Sequence, residues 1–202
     1  MFDRYTEQAR RALFFARFEV SQLGGTAIEP EHILLGLLRE RKGLVARMFE
    51  QRGVSAAALS VEVVDRHEHG ERISTSIEIP FSSGTRLVLE YAADEADRLG
   101  HSYIGTEHLL LGVLREERSM GAELLVQHGL GLDEVRKAVV ELLRQPEPAP
   151  GDSTAPEQAE RILLIKEWLQ QLTLLASDGA KARQLQHQIE TNLAVLISQF
   201  PR

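Results

Sequence analysis

The chain has 202 residues, 43% of them hydrophobic and 26% charged, which is enough apolar material for one or two globular domains and excludes disorder throughout. The absence of cysteine removes disulfides, thiolate nucleophiles and cysteine-held zinc. With 23 Lys+Arg against 30 Asp+Glu, the net charge of −7 and the lack of a segregated basic block argue against a nucleic-acid partner.

The first element predicted is a helix capped by Thr6, burying Ala9, Leu13, Ala16, Val20 and Leu23 at three- and four-residue spacing and stopping at Gly24-Gly25. A second begins at Pro30, a residue suited to the first helical turn, and buries Ile33, Leu34, Leu37 and Leu38. Gly43 and Gly53 bracket a short third helix with Val45, Met48 and Phe49, and Ala56 to Arg66 supplies a fourth. Phe14, Phe15 and Phe18 of the first helix read mainly as core filling. From about His67 to Pro80 runs a polar connector with one alternating stretch, Ile73 to Ile79, and its His67-Glu68-His69 reads as a solvated polar run.

Ser82 to Arg144 then repeats the order of the first four helices. A shift of 76 residues places Leu23-Gly24 on Leu99-Gly100, Glu31-His32 on Glu107-His108 and Leu34-Leu35-Gly36 on Leu110-Leu111-Gly112 without a gap. Between the pairs Thr6/Ser82 and Val54/Leu130 there are 18 identities in 49 positions, so the module is duplicated. Gln145 to Pro156 holds four of the seven prolines and reads as an extended linker that ends a domain. Glu157 to Ala176 and Ala180 to Phe200 follow as two amphipathic helices, with a stripe of Ile162, Ile165, Leu169 and Leu172. Two helices bury little alone, so residues 157–202 are expected to pair with another surface, self-association being the first choice.

Residues Leu99-Gly100-His101-Ser102-Tyr103-Ile104-Gly105-Thr106-Glu107-His108, followed by Leu109-Leu110-Leu111-Gly112, resemble the amino-terminal (Clp repeat) domain of Clp ATPases, ClpC above all. The opening Phe2-Asp3-Arg4-Tyr5-Thr6-Glu7 is similar to that family's start, and the resemblance spans about residues 1–144. It implies an all-α protein: two tandem pseudo-symmetric four-helix repeats (about 1–66 and 80–144), here joined by the 145–156 linker to a carboxy-terminal helical hairpin at 157–202. It also implies a non-catalytic module that binds proteins or peptides, as adaptor, decoy or regulator in Clp-dependent proteolysis. The alternative is an oligomeric scaffold whose hairpin carries the main interaction. No G-x-x-x-x-G-K-[ST] phosphate loop occurs in the sequence, so no nucleotide site and no cofactor is expected, and the chain is read as not an enzyme.

By the resemblance, the ligand is phosphoarginine. A carboxylate pairs with its guanidinium, and hydroxyls with helix-start N–H groups receive its phosphate oxygens. Carried over by position, the second copy offers Glu107 with Thr106 and Ser82, with Arg86 as a nearby cation, and the first offers Glu31 with Thr6. In the first copy Glu29-Pro30 replaces Gly-Thr, which removes a donor and adds a negative charge. Glu31 and Glu107 read equally well as ordinary first-turn acids, each worth about 0.3–1 kcal/mol against the helix dipole. His32 and His108 each stand beside one carboxylate with no second histidine at helical spacing, which reads as packing or capping and gives no metal site. No run of about 18 apolar residues is present, and Asp3, Arg4, Glu7 and Arg10 precede any apolar run, so neither a membrane span nor a secretory signal is expected and the location is read as cytoplasmic.

Overall fold

The computed structural model describes residues 3–41, 43–67, 70–71 and 79–145. The predicted hairpin at 157–202, nearly all of the linker, and most of the alternating stretch at 73–79 lie outside the described residues.

Eight α-helices make up the described residues, four in each repeat: α1 (Glu7–Leu23), α2 (Pro30–Arg39), α3 (Leu44–Gln51), α4 (Ala56–Arg66), α5 (Ser83–Arg98), α6 (Thr106–Arg115), α7 (Met120–Gln127) and α8 (Leu132–Arg144). Their ends follow local chemistry. Thr6 and Ser82, both extended, cap α1 and α5 by accepting hydrogen bonds from the N–H groups of Ala9 and Thr85, each at 3.1 Å. Gly24 ends α1 at φ 87°, a left-handed conformation that costs a glycine nothing, and its N–H bonds back to Val20 O.

Each repeat is built on a close helix crossing. Ala9, Ala12, Ala16 and Val20 of α1 are fully buried against α2, and Val88, Ala92 and Ala96 of α5 against α6. Gly36 and Gly112 sit at these crossings, where a side chain would point into the Ala12 and Val88 carbonyl oxygens. Small residues therefore bring the backbones together, and the long side chains of α2 and α6 turn toward the middle of the domain. There Ile33, Leu34, Leu37, Leu109, Leu110 and Leu111 are at most 1% exposed, each worth about 1.5–3 kcal/mol of burial, and α2 packs on α6 to join the two repeats.

The phenylalanines of α1 do not fill the core as expected. Phe14 is 67% exposed, while Phe15 and Phe18 are half-buried beneath the Arg39 guanidinium, 5.5 and 4.9 Å from the ring centres. In the second repeat the same three places hold Glu90, Tyr91 and Asp94; Tyr91 keeps the ring of Phe15 under the equivalent arginine, Arg115, 4.2 Å from its centre, while the places of Phe14 and Phe18 are acidic.

Candidate functional site

Two short parallel bridges tie the start of a helix in one repeat to the loop before a helix in the other. Tyr5 pairs with Ile104, with Thr6 N–H donating to Ile104 O (3.0 Å) and Ile104 N–H to Arg4 O (2.7 Å). Ile28 pairs with Phe81, with Ile28 N–H donating to Pro80 O (2.8 Å) and Ser82 N–H to Ile28 O (3.1 Å). Adding 76 to one bridge gives the other with its partners exchanged, the signature of a two-fold relation between the repeats.

This geometry regroups the candidate residues. Thr6 lies beside the start of α6, which carries Thr106 and Glu107, whereas Ser82 lies beside the start of α2, which carries Pro30 and Glu31. Sequence position groups Ser82 with Glu107 and Thr6 with Glu31; the bridges instead set Thr6 beside the helix start that bears Glu107 and Ser82 beside the one that bears Glu31. Gly84 confirms the second grouping, since a side chain there would meet the Pro30 ring at 3.3 Å. Arg86 is exposed on α5, one turn beyond its Ser82 cap. Its counterpart on α1 is Arg10, exposed one turn beyond Thr6 and overlooked by motif reasoning, although subtracting 76 from Arg86 finds it.

The two caps are not equivalent. The Ser82 hydroxyl donates to Thr85 Oγ1 (3.3 Å), which uses its hydrogen, while Thr6 accepts from Ala9 N–H and keeps its hydrogen for another acceptor. Thr106 is 4% exposed and its hydroxyl faces Gly43.

The carboxylates differ more. Glu107, 6% exposed, folds back over Gly105, where a Cβ would stand 2.3 Å from Oε2, and its Oε1 is 3.4 Å from His108 Nδ1. Glu29 occupies the Gly105 position in the first repeat and has a Cβ, so Glu31 turns elsewhere, to 3.6 Å from His67 Nδ1. Burial raises the Glu31 carboxyl above its usual range, the neighbouring Glu29 charge adds to this, and a backbone hydrogen bond and His67 partly offset it.

Each glutamate precedes a histidine that is wholly buried. His108 Nδ1 accepts from Gly105 N–H (2.8 Å) and His32 Nδ1 from Glu29 N–H (3.0 Å), which places the proton of each neutral ring on Nε2. Burial pushes both rings down to about 4, assisted by His101 beside His108 and by His67 beside His32. The expectation of one histidine per copy is thus incomplete. His101 meets His108 with Nδ1 2.9 Å from Nε2 and stacks on Tyr103, while His67, read from sequence as solvated, places its ring 4.8 Å from that of His32.

His101, Glu107 and His108 bring potential metal-ligating atoms within 4.8 Å of one another. The donor set does not fit a metal: His108 Nδ1 takes the Gly105 N–H, Nε2 shares its proton with His101, and the glutamate approaches the occupied Nδ1 side.

Two repeats, each with a hydroxyl-capped first helix, an exposed arginine one turn into it and a buried or partly buried carboxylate opening the second helix, make a duplicated all-helical domain. The chain belongs to the family described as Clp repeat (R) N-terminal domain, which matches residues 4–128 and again 80–187. It is 39% identical over 143 residues, 71% of this chain and 17% of the relative, to the negative regulator of genetic competence ClpC/MecB of Bacillus subtilis (strain 168). It is 33% identical over 179 residues, 89% of this chain and 19% of the relative, to the chloroplastic chaperone protein ClpC1 of Arabidopsis thaliana. The chain spans about a fifth of the length of these curated relatives. Among solved structures, the N-terminal domain of ClpD from Arabidopsis thaliana superposes with a TM-score of 0.56 at 24% identity, covering 72% of this chain and 97% of that one. The N-domain of ClpV from Vibrio cholerae gives 0.60 at 17%, covering 72% and 89%, and both show the same fold. No described helix is long and apolar enough to cross a membrane.

Proposed function

We propose that this chain is a non-catalytic docking domain that binds proteins or peptides for Clp-dependent proteolysis, as adaptor, decoy or regulator, and that its ligand group is phosphoarginine held at the start of α6. The observation that carries this reading is the meeting of Thr6 with the Glu107-bearing helix start, because a phosphorylated guanidinium needs both signs of partner within one small site. Glu107 pairs with the guanidinium, and the Thr6 hydroxyl, the N–H groups opening α6 and the Arg10 cation receive the phosphate, while Thr106 holds the helix start in place. Membership of the Clp repeat family supports it. The site formed by Ser82, Arg86 and Glu31 is the weaker of the two, since Pro30 has no N–H, Glu29 adds negative charge and the Ser82 hydrogen is already used.

Calorimetry with free phosphoarginine tests this. One charge-assisted contact is worth about 1.5–3 kcal/mol, so Glu107→Ala lowers affinity more than tenfold and Glu31→Ala much less. Absence of binding to the unaltered chain, or equal losses in the two variants, overturns the assignment.

A further inference from the structure

The repeats part company beside their buried histidines. In the second repeat His101 meets His108 Nε2; the first repeat has Gly25 at that place, and a different histidine, His67 from the end of α4, sets its ring 4.8 Å from that of His32 without meeting its Nε2. The two-fold counterpart of His67 is Leu143, 39% exposed on α8, so the repeat architecture does not dictate where the His67 ring goes.

The His67 side chain is only 10% exposed, and it covers Glu31, itself 14% exposed, with Nδ1 3.6 Å from Oε1. Next to this pair, His32 presents a second unusual feature. Its Nδ1 is committed to Glu29 N–H, so its hydrogen is on Nε2, and this wholly buried atom has no hydrogen-bond partner among the described residues. An unpaired buried donor loses its hydration without compensation and calls for an acceptor oxygen. A carboxylate covered by the chain's own imidazole thus adjoins a donor without an acceptor.

We infer that His67 is an internal occupant of the first repeat's site, standing where the guanidinium of a phosphorylated-guanidinium ligand pairs with Glu31, and that it closes that site in the unaltered protein. When the imidazole is displaced, Glu31 takes the guanidinium N–H groups and His32 Nε2–H donates to a phosphoryl oxygen, replacing the donor that Pro30 lacks. The inference rests on the reading of the helix starts as ligand sites, and it makes the domain univalent by default and bivalent when the end of α4 lets go.

The test is the stoichiometry of free phosphoarginine binding to the full chain. At the concentration that fills the first site the unaltered protein is expected to bind one equivalent, abolished by Glu107→Ala, with a second entering only at about tenfold excess or more. His67→Ala is expected to bind two, the second lost again in the His67→Ala, Glu31→Gln double variant. One equivalent in folded His67→Ala overturns the latch while leaving the Glu107 site standing, and no binding in any protein overturns the reading of the helix starts and this inference with it. A second measurement serves if His67→Ala does not fold. In the unaltered chain, phosphoarginine at ten times the concentration that fills the first site should move the His67 ring resonances, and should leave them unmoved in Glu31→Gln. Resonances that stay in place in the unaltered chain overturn the proposal.

Discussion

Replacing Gly112 by alanine separates two effects that act in opposite directions. In the interior of a helix, alanine is favoured over glycine by about 1 kcal/mol, so propensity alone predicts a more stable protein. The crossing of α5 and α6 predicts the reverse: a Cβ at residue 112 stands 2.3 Å from Val88 O and 3.1 Å from Ala92 N, against an ordinary contact of 3.4 Å or more. These are backbone atoms, which cannot rotate away, so the two helices must separate by about 1 Å, and a gap of that size forfeits roughly a quarter to a half of each dispersion contact it opens. Overpacking of this kind costs about 1–3 kcal/mol, with backbone obstruction at the upper end or beyond, which leaves a net loss of about 2 kcal/mol after the propensity gain. For a domain of this size that is roughly 6 °C in melting temperature. Urea unfolding followed by circular dichroism measures it as a lower midpoint with unchanged slope. Gly105→Ala is the control, because the atoms nearest its Cβ belong to the Glu107 carboxylate, the far end of a movable side chain, and its midpoint should stay close to the unaltered protein. A Gly112→Ala midpoint at or above that of the unaltered chain refutes the close-crossing argument.

Glu95, 1% exposed, accepts from Arg136 Nε at 2.9 Å and lies 3.2 Å from Arg115; burial alone would raise its carboxyl, but Arg136, Arg115 and Arg98 outweigh it and hold the group below its usual range. Glu95→Gln should therefore cost about 3 kcal/mol, tempered by the partial exposure of the arginines, in the same urea assay, and the stability this group contributes should be present above pH 4.3 and fall as pH drops through its lowered folded value. His32 and His108 are held neutral down to about 4, so between pH 6.5 and 5 the unfolded chain binds up to two more protons than the folded one. Stability should fall in that window by as much as about 2–3 kcal/mol per pH unit, and a flat midpoint there contradicts the buried neutral rings. Residues 157–202 should self-associate through the Ile162, Ile165, Leu169 and Leu172 stripe, and light scattering that shows a monomer at high micromolar concentration, unchanged by Leu169→Glu, removes that expectation.

The eight helices were legible because their signals are local. Thr6 and Ser82 cap helices, Gly24 stops one, Pro30 opens one, and three- and four-residue spacing marks the buried faces. Identity at a spacing of 76 revealed the duplication, and with it the equivalence of Glu31 with Glu107. What the repeat could not reveal is which copy's helix start faces which copy's glutamate. A translation along the sequence is compatible with pairing inside each repeat or between them, and only the exchanged bridges Tyr5 to Ile104 and Ile28 to Phe81 decide it. The placement of His67 has the same origin. Nothing near it in sequence marks it as buried; the tertiary fold brings the end of α4 beside the start of α2, where the imidazole packs 4.8 Å from the His32 ring and 3.6 Å from the Glu31 carboxylate, a placement that no local spacing encodes.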